Sequence, residues 1–188
     1  MKFFVNLPLV LSAIQTWEGG PSFDMVYDTD KSQMKIEATV PDGQYLGIAY
    51  GMGMSNTDMV FFPGSSSDLK DLYSTGYRRP SEDSSNNYVD TTKSSDNGVH
   101  SYVTYRDLDT SDSEDYKFEC GKTHKFSWVG SSSSSSLVKH NKDGKFQIKL
   151  ADDCSTIIED SSLKKSMSNS LPKVSGVVAG VLMVAANI

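Results

Sequence analysis

Apolar side chains at every second position are the feature that most restricts how this chain can fold. Met34, Ile36, Ala38 and Val40 alternate with Lys35, Glu37 and Thr39, and Phe146, Ile148 and Leu150 alternate with Gln147 and Lys149. Val99, Ser101, Val103 and Tyr105 follow the same rule. A period of two sends successive side chains to opposite faces of an extended strand, so one face is buried and the other meets water. Further strands are predicted over 23–27, 45–50, 58–62, 69–73, 115–120 and 125–129. Between them lie Gly, Ser, Asn and Asp clusters, among them Pro41-Asp42-Gly43 and Lys142-Asp143-Gly144, which are read as turns. About nine to eleven short strands with no helical period before the C-terminal tail predict an all-β fold, an antiparallel β-sandwich.

The two ends carry other signals. Residues 1–16 read as a secretory signal peptide: Lys2, then an apolar run from Phe3 to Ile14 too short to span a bilayer, then small and polar residues. Cleavage is expected between 13 and 17; a first core strand is the alternative. Residues 17–154 form the expected sandwich, and 155–170 a Ser-rich stalk. Residues 171–188 form a hydrophobic tail, which as a helix reaches only about 22 Å from residue 174, short of a hydrocarbon core of about 30 Å. Ser166-Met167-Ser168-Asn169-Ser170 and the spacer Leu171-Pro172-Lys173 precede the apolar run, in the order of a GPI-anchor signal. A membrane-inserted tail or a docked helix is the other reading. The expectation is a secreted protein on the outer face of the cell, attached to the membrane through its C-terminus.

The formal charge is −6 over 188 residues, and each expected processed end would remove one lysine, Lys2 or Lys173. So acidic a chain does not suit nucleic acid or anionic lipid as a partner. Cys120 and Cys154 are the two cysteines; an even pair in an exported chain is expected to be bridged. No Asn-x-Ser/Thr sequon is present.

Enzyme motifs are missing. The three histidines, His100, His124 and His140, have no HExxH or paired-ligand spacing. Gly51-Met52-Gly53-Met54 is not followed by a helical pattern, and there is no Gly-x-Ser-x-Gly elbow. Asp107, Asp109, Asp112, Glu114 and Asp115 lack the spacing and glycine of an EF-hand and read as a solvated acidic turn. Residues 81–97 read as a long polar surface loop, and Ser131 to Ser136 as a flexible, solvated tract.

A set of ordered motifs resembles the DOMON family, the dopamine beta-monooxygenase N-terminal-like domains. Tyr45-Leu46-Gly47-Ile48-Ala49-Tyr50-Gly51, Met54 and Asp58-Met59-Val60 resemble its glycine-rich strand, Met, Asp and apolar strand. Asp71, Tyr73, Gly76, Tyr77, Pro80 and Asp83 resemble the next segment. Arg106-x-Leu108-x-Thr110-x-Asp112-x-x-Asp115 follows, then Phe126-Ser127-Trp128-Val129-Gly130 and His140.

This resemblance implies a sandwich of ten or eleven strands that holds either b-type haem or a sugar-like ligand. In the haem-binding branch the axial ligands fall at Met54 and His140, with Met52 and Met59 as neighbouring alternatives to the thioether. Phe61, Phe62, Leu137 and Val138 would line a cleft between two loops at one end of the sandwich. A thioether favours reduced iron, and six-coordination leaves no position for oxygen, which suits electron transfer and not catalysis. The implied partners are a membrane-embedded b-type cytochrome or a soluble reductant. The alternative is a haem-free extracellular module for a carbohydrate or another small ligand. Arg106, Asp112 and Asp115 are read as pinning a turn. His100 is read as lying on a polar strand face, and His124 as lying beside a turn.

Overall fold

The computed structural model describes residues 13–154 and 157–158. The signal-like start up to residue 12, the stalk beyond 158 and the C-terminal tail lie outside the described residues. Among the described residues there are twelve strands: β1 (Ile14–Gln15), β2 (Ser22–Asp28), β3 (Gln33–Pro41), β4 (Tyr45–Ala49), β5 (Ser55–Pro63), β6 (Lys70–Thr75), β7 (Ser81–Glu82), β8 (Val89–Asp96), β9 (Val99–Asp107), β10 (Thr123–Ser131), β11 (Lys142–Leu150) and β12 (Ile157–Ile158). There is no helix among the described residues. The strands form two antiparallel sheets, ordered β1-β2-β3-β9-β8 and β12-β11-β10-β4-β5-β6-β7. β1 lies in the region read as signal peptide and β12 in the region read as stalk; each adds a short edge to its sheet.

The alternating strands are where the pattern put them. Met34, Ile36, Ala38 and Val40 of β3 face Leu46, Ile48, Val60, Phe62, Phe126, Phe146 and Ile148 across the sandwich. At about 25 cal/mol per Å² of apolar surface, this cluster is the main source of stability.

Four expectations are corrected. Residues 81–97 are not one loop, because β8 pairs with β9 as an edge strand. Its side chains are nearly all exposed, so no apolar alternation marks it. Residues 115–120 are not a strand; they cross from β9 in one sheet to β10 in the other and insert Tyr116 and Phe118 into the core edge. Lys142-Asp143-Gly144 is not a turn but the start of β11, paired with Gly130, Val129 and Trp128. Gly144 is required there because a Cβ would sit 2.4 Å from the Trp128 ring.

The fourth correction is one of phase. On β9 the buried residues are His100, Tyr102, Thr104 and Arg106, while the face of Val99, Ser101, Val103 and Tyr105 is partly or fully exposed. His100 is therefore not on a solvated face; its Nε2 lies 2.5 Å from Asp42 Oδ1.

Pro41-Asp42-Gly43 does turn, with Gly43 at φ +72°. The turn is clamped by Gly64, whose N–H donates to the Gln44 carbonyl at 2.8 Å and whose carbonyl accepts from Gly43. A Cβ on Gly64 would lie 2.0 Å from the Pro41 carbonyl oxygen, a backbone atom that cannot rotate away. Gly64→Ala is expected to destabilise the domain by about 3 kcal/mol, the upper end for overpacking. The check is a drop in urea midpoint at unchanged m-value.

Candidate functional site

β4 is buried along its whole length, and β5 from Thr57 to Pro63. Strands read this way when both faces are covered. One face of these strands supplies the sandwich core. The other carries a second apolar cluster of Tyr45, Ala49, Met59, Phe61 and Leu72, with Val129 and Leu137 packed against it. This second face is the floor of a cleft of about 870 Å³. Its walls are the loop after β4 (Met52 to Met54), the loop after β6 (Tyr77 to Pro80) and the loop between β10 and β11 (Leu137 to His140). The cleft thus lies on the outer face of the seven-stranded sheet, not at the end of the sandwich. Leu137 and Val138 line it as expected, whereas Phe62 points the other way into the core.

Met54 and His140 both line this cleft and are both half-buried. Met54 is held through its backbone: its carbonyl accepts from Ser74 Oγ at 2.6 Å, and the neighbouring Gly53 carbonyl accepts from Thr57 Oγ1 at 2.9 Å. The His140 loop is closed at its base, where Asn141 N donates to the Gly130 carbonyl at 3.0 Å. Within it, Ser133 and Ser136 donate their N–H groups to the hydroxyls of Ser131 and Ser134. The Tyr45 hydroxyl donates to the Val138 carbonyl at 2.7 Å and ties the loop to the floor. Burial pushes the Tyr45 phenol up to about 12, so it remains a donor at neutral pH.

The other candidates separate cleanly. Met52 is exposed at the rim and Met59 is buried in the floor. His124, beside the turn that precedes β10, is buried: it is 3% exposed, its Nε2 donates to the Glu119 carbonyl at 2.9 Å, and its Nδ1 lies 2.7 Å from the Tyr116 hydroxyl. Among the described residues, His140 is the one histidine in the cleft. Cys120 and Cys154 are joined as a disulfide. Arg78, Arg79, Lys139 and Lys145 give the cleft a basic rim on an otherwise acidic chain.

Behind the floor lies a buried polar cluster of Arg106, Asp58, Asp71 and Asp115, of which the sequence reading placed only Arg106 and Asp115, at a turn. Arg106 is fully buried, and its Nη1 donates to Asp58 Oδ2 at 2.7 Å while Nη2 donates to the Tyr116 carbonyl at 3.1 Å. Asp115 is 3.4 Å from Nη2, and its side chain is only 2% exposed. Asp112 stays in the turn and accepts from Glu114 N. Asp71, next to this group, is pushed up to about 7 by burial, against a hydrogen bond from Asn87 N. Burial likewise raises Asp58, opposed by Arg106. The signal available in the sequence was a carboxylate, Asp58, opening the apolar run Met59-Val60-Phe61-Phe62.

An all-β sandwich with a cofactor-sized cleft on one sheet face is the class that fold and site define. Residues 22–131 match the family model of the DOMON domain, and the chain belongs to that family. The structure is similar to the cytochrome domain of cellobiose dehydrogenase from Myriococcum thermophilum, with a TM-score of 0.58 at 16% identity over 87% of this chain and 90% of that one. It is similar also to the cytochrome b domain of pyranose dehydrogenase from Coprinopsis cinerea, with a TM-score of 0.56 at 15% identity over 88% and 93%. At such identities the likeness is one of fold. No curated protein matches the chain in sequence.

Proposed function

We propose that this DOMON domain binds one b-type haem in the cleft, where Met54 and His140 would hold the iron, and passes single electrons. The observation that carries this reading is that, of the described histidines, only His140 lines the cleft, and Met54 lines the same cleft from another loop. The residues present fit the group. The volume, about 870 Å³, lies within the range of cofactor pockets. The floor of Ala49, Met59, Val129 and Leu137 is apolar, and the basic rim suits the two propionate carboxylates. When bound, the haem supplies a one-electron couple, and a thioether opposite an imidazole favours its reduced form. Tyr45 and Asn141 hold the His140 loop, and Ser74 holds the Met54 loop, so both loops are anchored before binding. On this reading the protein works outside the cell, attached through its tail. It exchanges electrons with a soluble reductant or a membrane-embedded b-type cytochrome and catalyses no reaction itself.

A second reading has its own support. An adjoining cavity of about 610 Å³ is lined by Ser65, Ser67, Ser135, Ser136, Lys70 and Glu82 beside Phe61. Hydroxyl and charged groups beside an aromatic ring suit a carbohydrate.

Haem titration followed by absorption decides between them. The wild type is expected to give a low-spin spectrum in both oxidation states and to be reduced by ascorbate. His140→Ala should weaken haem binding more than about 100-fold, since even the outer partners of a metal ligand are worth 10- to 100-fold. Met54→His should retain haem at a lower potential, and His100→Ala should leave the spectrum unchanged. A wild type that takes up no haem rejects the proposal in favour of the carbohydrate reading; an unchanged His140→Ala spectrum rejects the ligand assignment.

A further inference from the structure

We propose that Asp58, Asp71 and Asp115 form a binding site for one calcium ion inside the sandwich, separate from the cleft. The three come from β5, β6 and the crossover between β9 and β10. Asp58 shares its inward face with Val60, which is paired with Asp71, so both carboxylates point away from the cleft floor.

Each carboxylate has one oxygen engaged. Asp58 Oδ2 accepts from Arg106 and from Tyr116 N at 2.8 Å; Asp71 Oδ2 accepts from Asn87 N at 2.9 Å; Asp115 Oδ2 accepts from Asn87 Nδ2 at 2.7 Å. The remaining oxygen, Oδ1 in all three, is buried and has no hydrogen-bond partner. The side chains of Asp58 and Asp115 are each 2% exposed, and Asp71 is 5% exposed. A buried carboxylate oxygen without a partner is costly, and three in one place is a strong imbalance.

Spacing and charge identify what would correct it. One oxygen from each carboxylate lies within 4.8 Å of the others. Oxygens on opposite sides of a calcium ion, each at 2.3–2.6 Å, are about 4.6–5.2 Å apart, so a single ion can bind all three. The carboxylates carry three negative charges against the one positive charge of Arg106, and a divalent cation neutralises the remainder. An all-oxygen donor set selects a hard cation. Ligands brought from three separate segments suit calcium, which tolerates irregular coordination, better than magnesium, which demands a near-ideal octahedron.

The test uses the full chain, stripped with chelator and free of haem, so its outcome is independent of the cleft. Thermal unfolding is followed at pH 7.5 in up to 10 mM calcium chloride, with magnesium chloride at equal concentration as the comparison. With a dissociation constant of about 0.1 mM, at the tight end for extracellular calcium modules, the midpoint should rise by roughly 5–10 °C. Asp71→Asn should fold but lose this rise; Asp115→Asn serves the same purpose if the first variant does not fold. Isothermal titration of the wild type with calcium should give one site per chain. An unchanged midpoint in calcium, an equal rise in magnesium, or a rise retained in the folded Asn variant would overturn the proposal.

Discussion

Arg106→Met is expected to destabilise the domain by about 3–5 kcal/mol, the cost of removing one partner from a buried ion pair. Methionine fills a similar volume, so the loss is electrostatic and not a cavity. Without the guanidinium, Asp58, Asp71 and Asp115 face one another with no protein cation among them, and Tyr116 loses the donor to its carbonyl. The rings of Tyr50, Tyr88 and Phe118, with centroids 4.8–5.8 Å from the guanidinium carbon, also lose their cation. Such a loss approaches the whole stability of an ordinary domain. Urea unfolding in the presence of chelator measures it without any contribution from bound metal. Adding Asp58→Asn to Arg106→Met should recover part of the loss by removing one of the stranded charges; a double variant less stable than the single one would show that charge is not the cause.

How much of this was legible follows from where each residue's partner lies. Met34 to Val40 on β3 declared their strand and its buried face, because apolar side chains need only a dry surface and the alternation alone locates it. β9 was read in the opposite phase because its inward residues are polar. His100, Tyr102, Thr104 and Arg106 are hydrogen-bonded to Asp42, the Pro63 carbonyl, Thr91 and Asp58, groups 13 to 58 positions away. No local pattern reveals such pairing, so the outward valines took the place of the true core face. β8 was missed for the converse reason: an edge strand with solvated side chains has the composition of a loop.

The cleft was partly legible. The order of motifs drew attention to Met54 and His140, and the structure lines one cleft with both. Its position on an outer sheet face was also encoded, though differently. Tyr45 to Ala49 and Met59 to Phe62 are apolar without alternation, the mark of strands covered on both sides, and a sandwich core covers only one. The second cover is the loop carrying the serine tract. Composition marked that tract as flexible, yet hydroxyl contacts and the Tyr45 bond hold it over the floor.

Removal of the disulfide, as Cys120→Ser with Cys154→Ser or by reduction, is expected to cost about 4 kcal/mol, the chain-entropy value for a loop of this length. The two cysteines are 34 residues apart in sequence, and the loop they close contains all of β10, all of β11 and the His140 segment. Cys120 is exposed and Cys154 buried, so a reductant can reach the bond through Cys120 without unfolding the domain. The midpoint of thermal unfolding should fall by roughly 8–16 °C. The cleft should respond much less. The bond lies beyond the Thr123 and Leu150 end of the β10–β11 ladder, whereas the His140 loop leaves from the Ser131 and Lys142 end. Eight paired positions separate them. A constraint on the unfolded chain is lost, but the native ladder that positions His140 remains. Ligand uptake at 25 °C should therefore match the oxidised protein while the midpoint falls. A parallel loss of both would mean that the bond shapes the native cleft and does not merely limit the unfolded state.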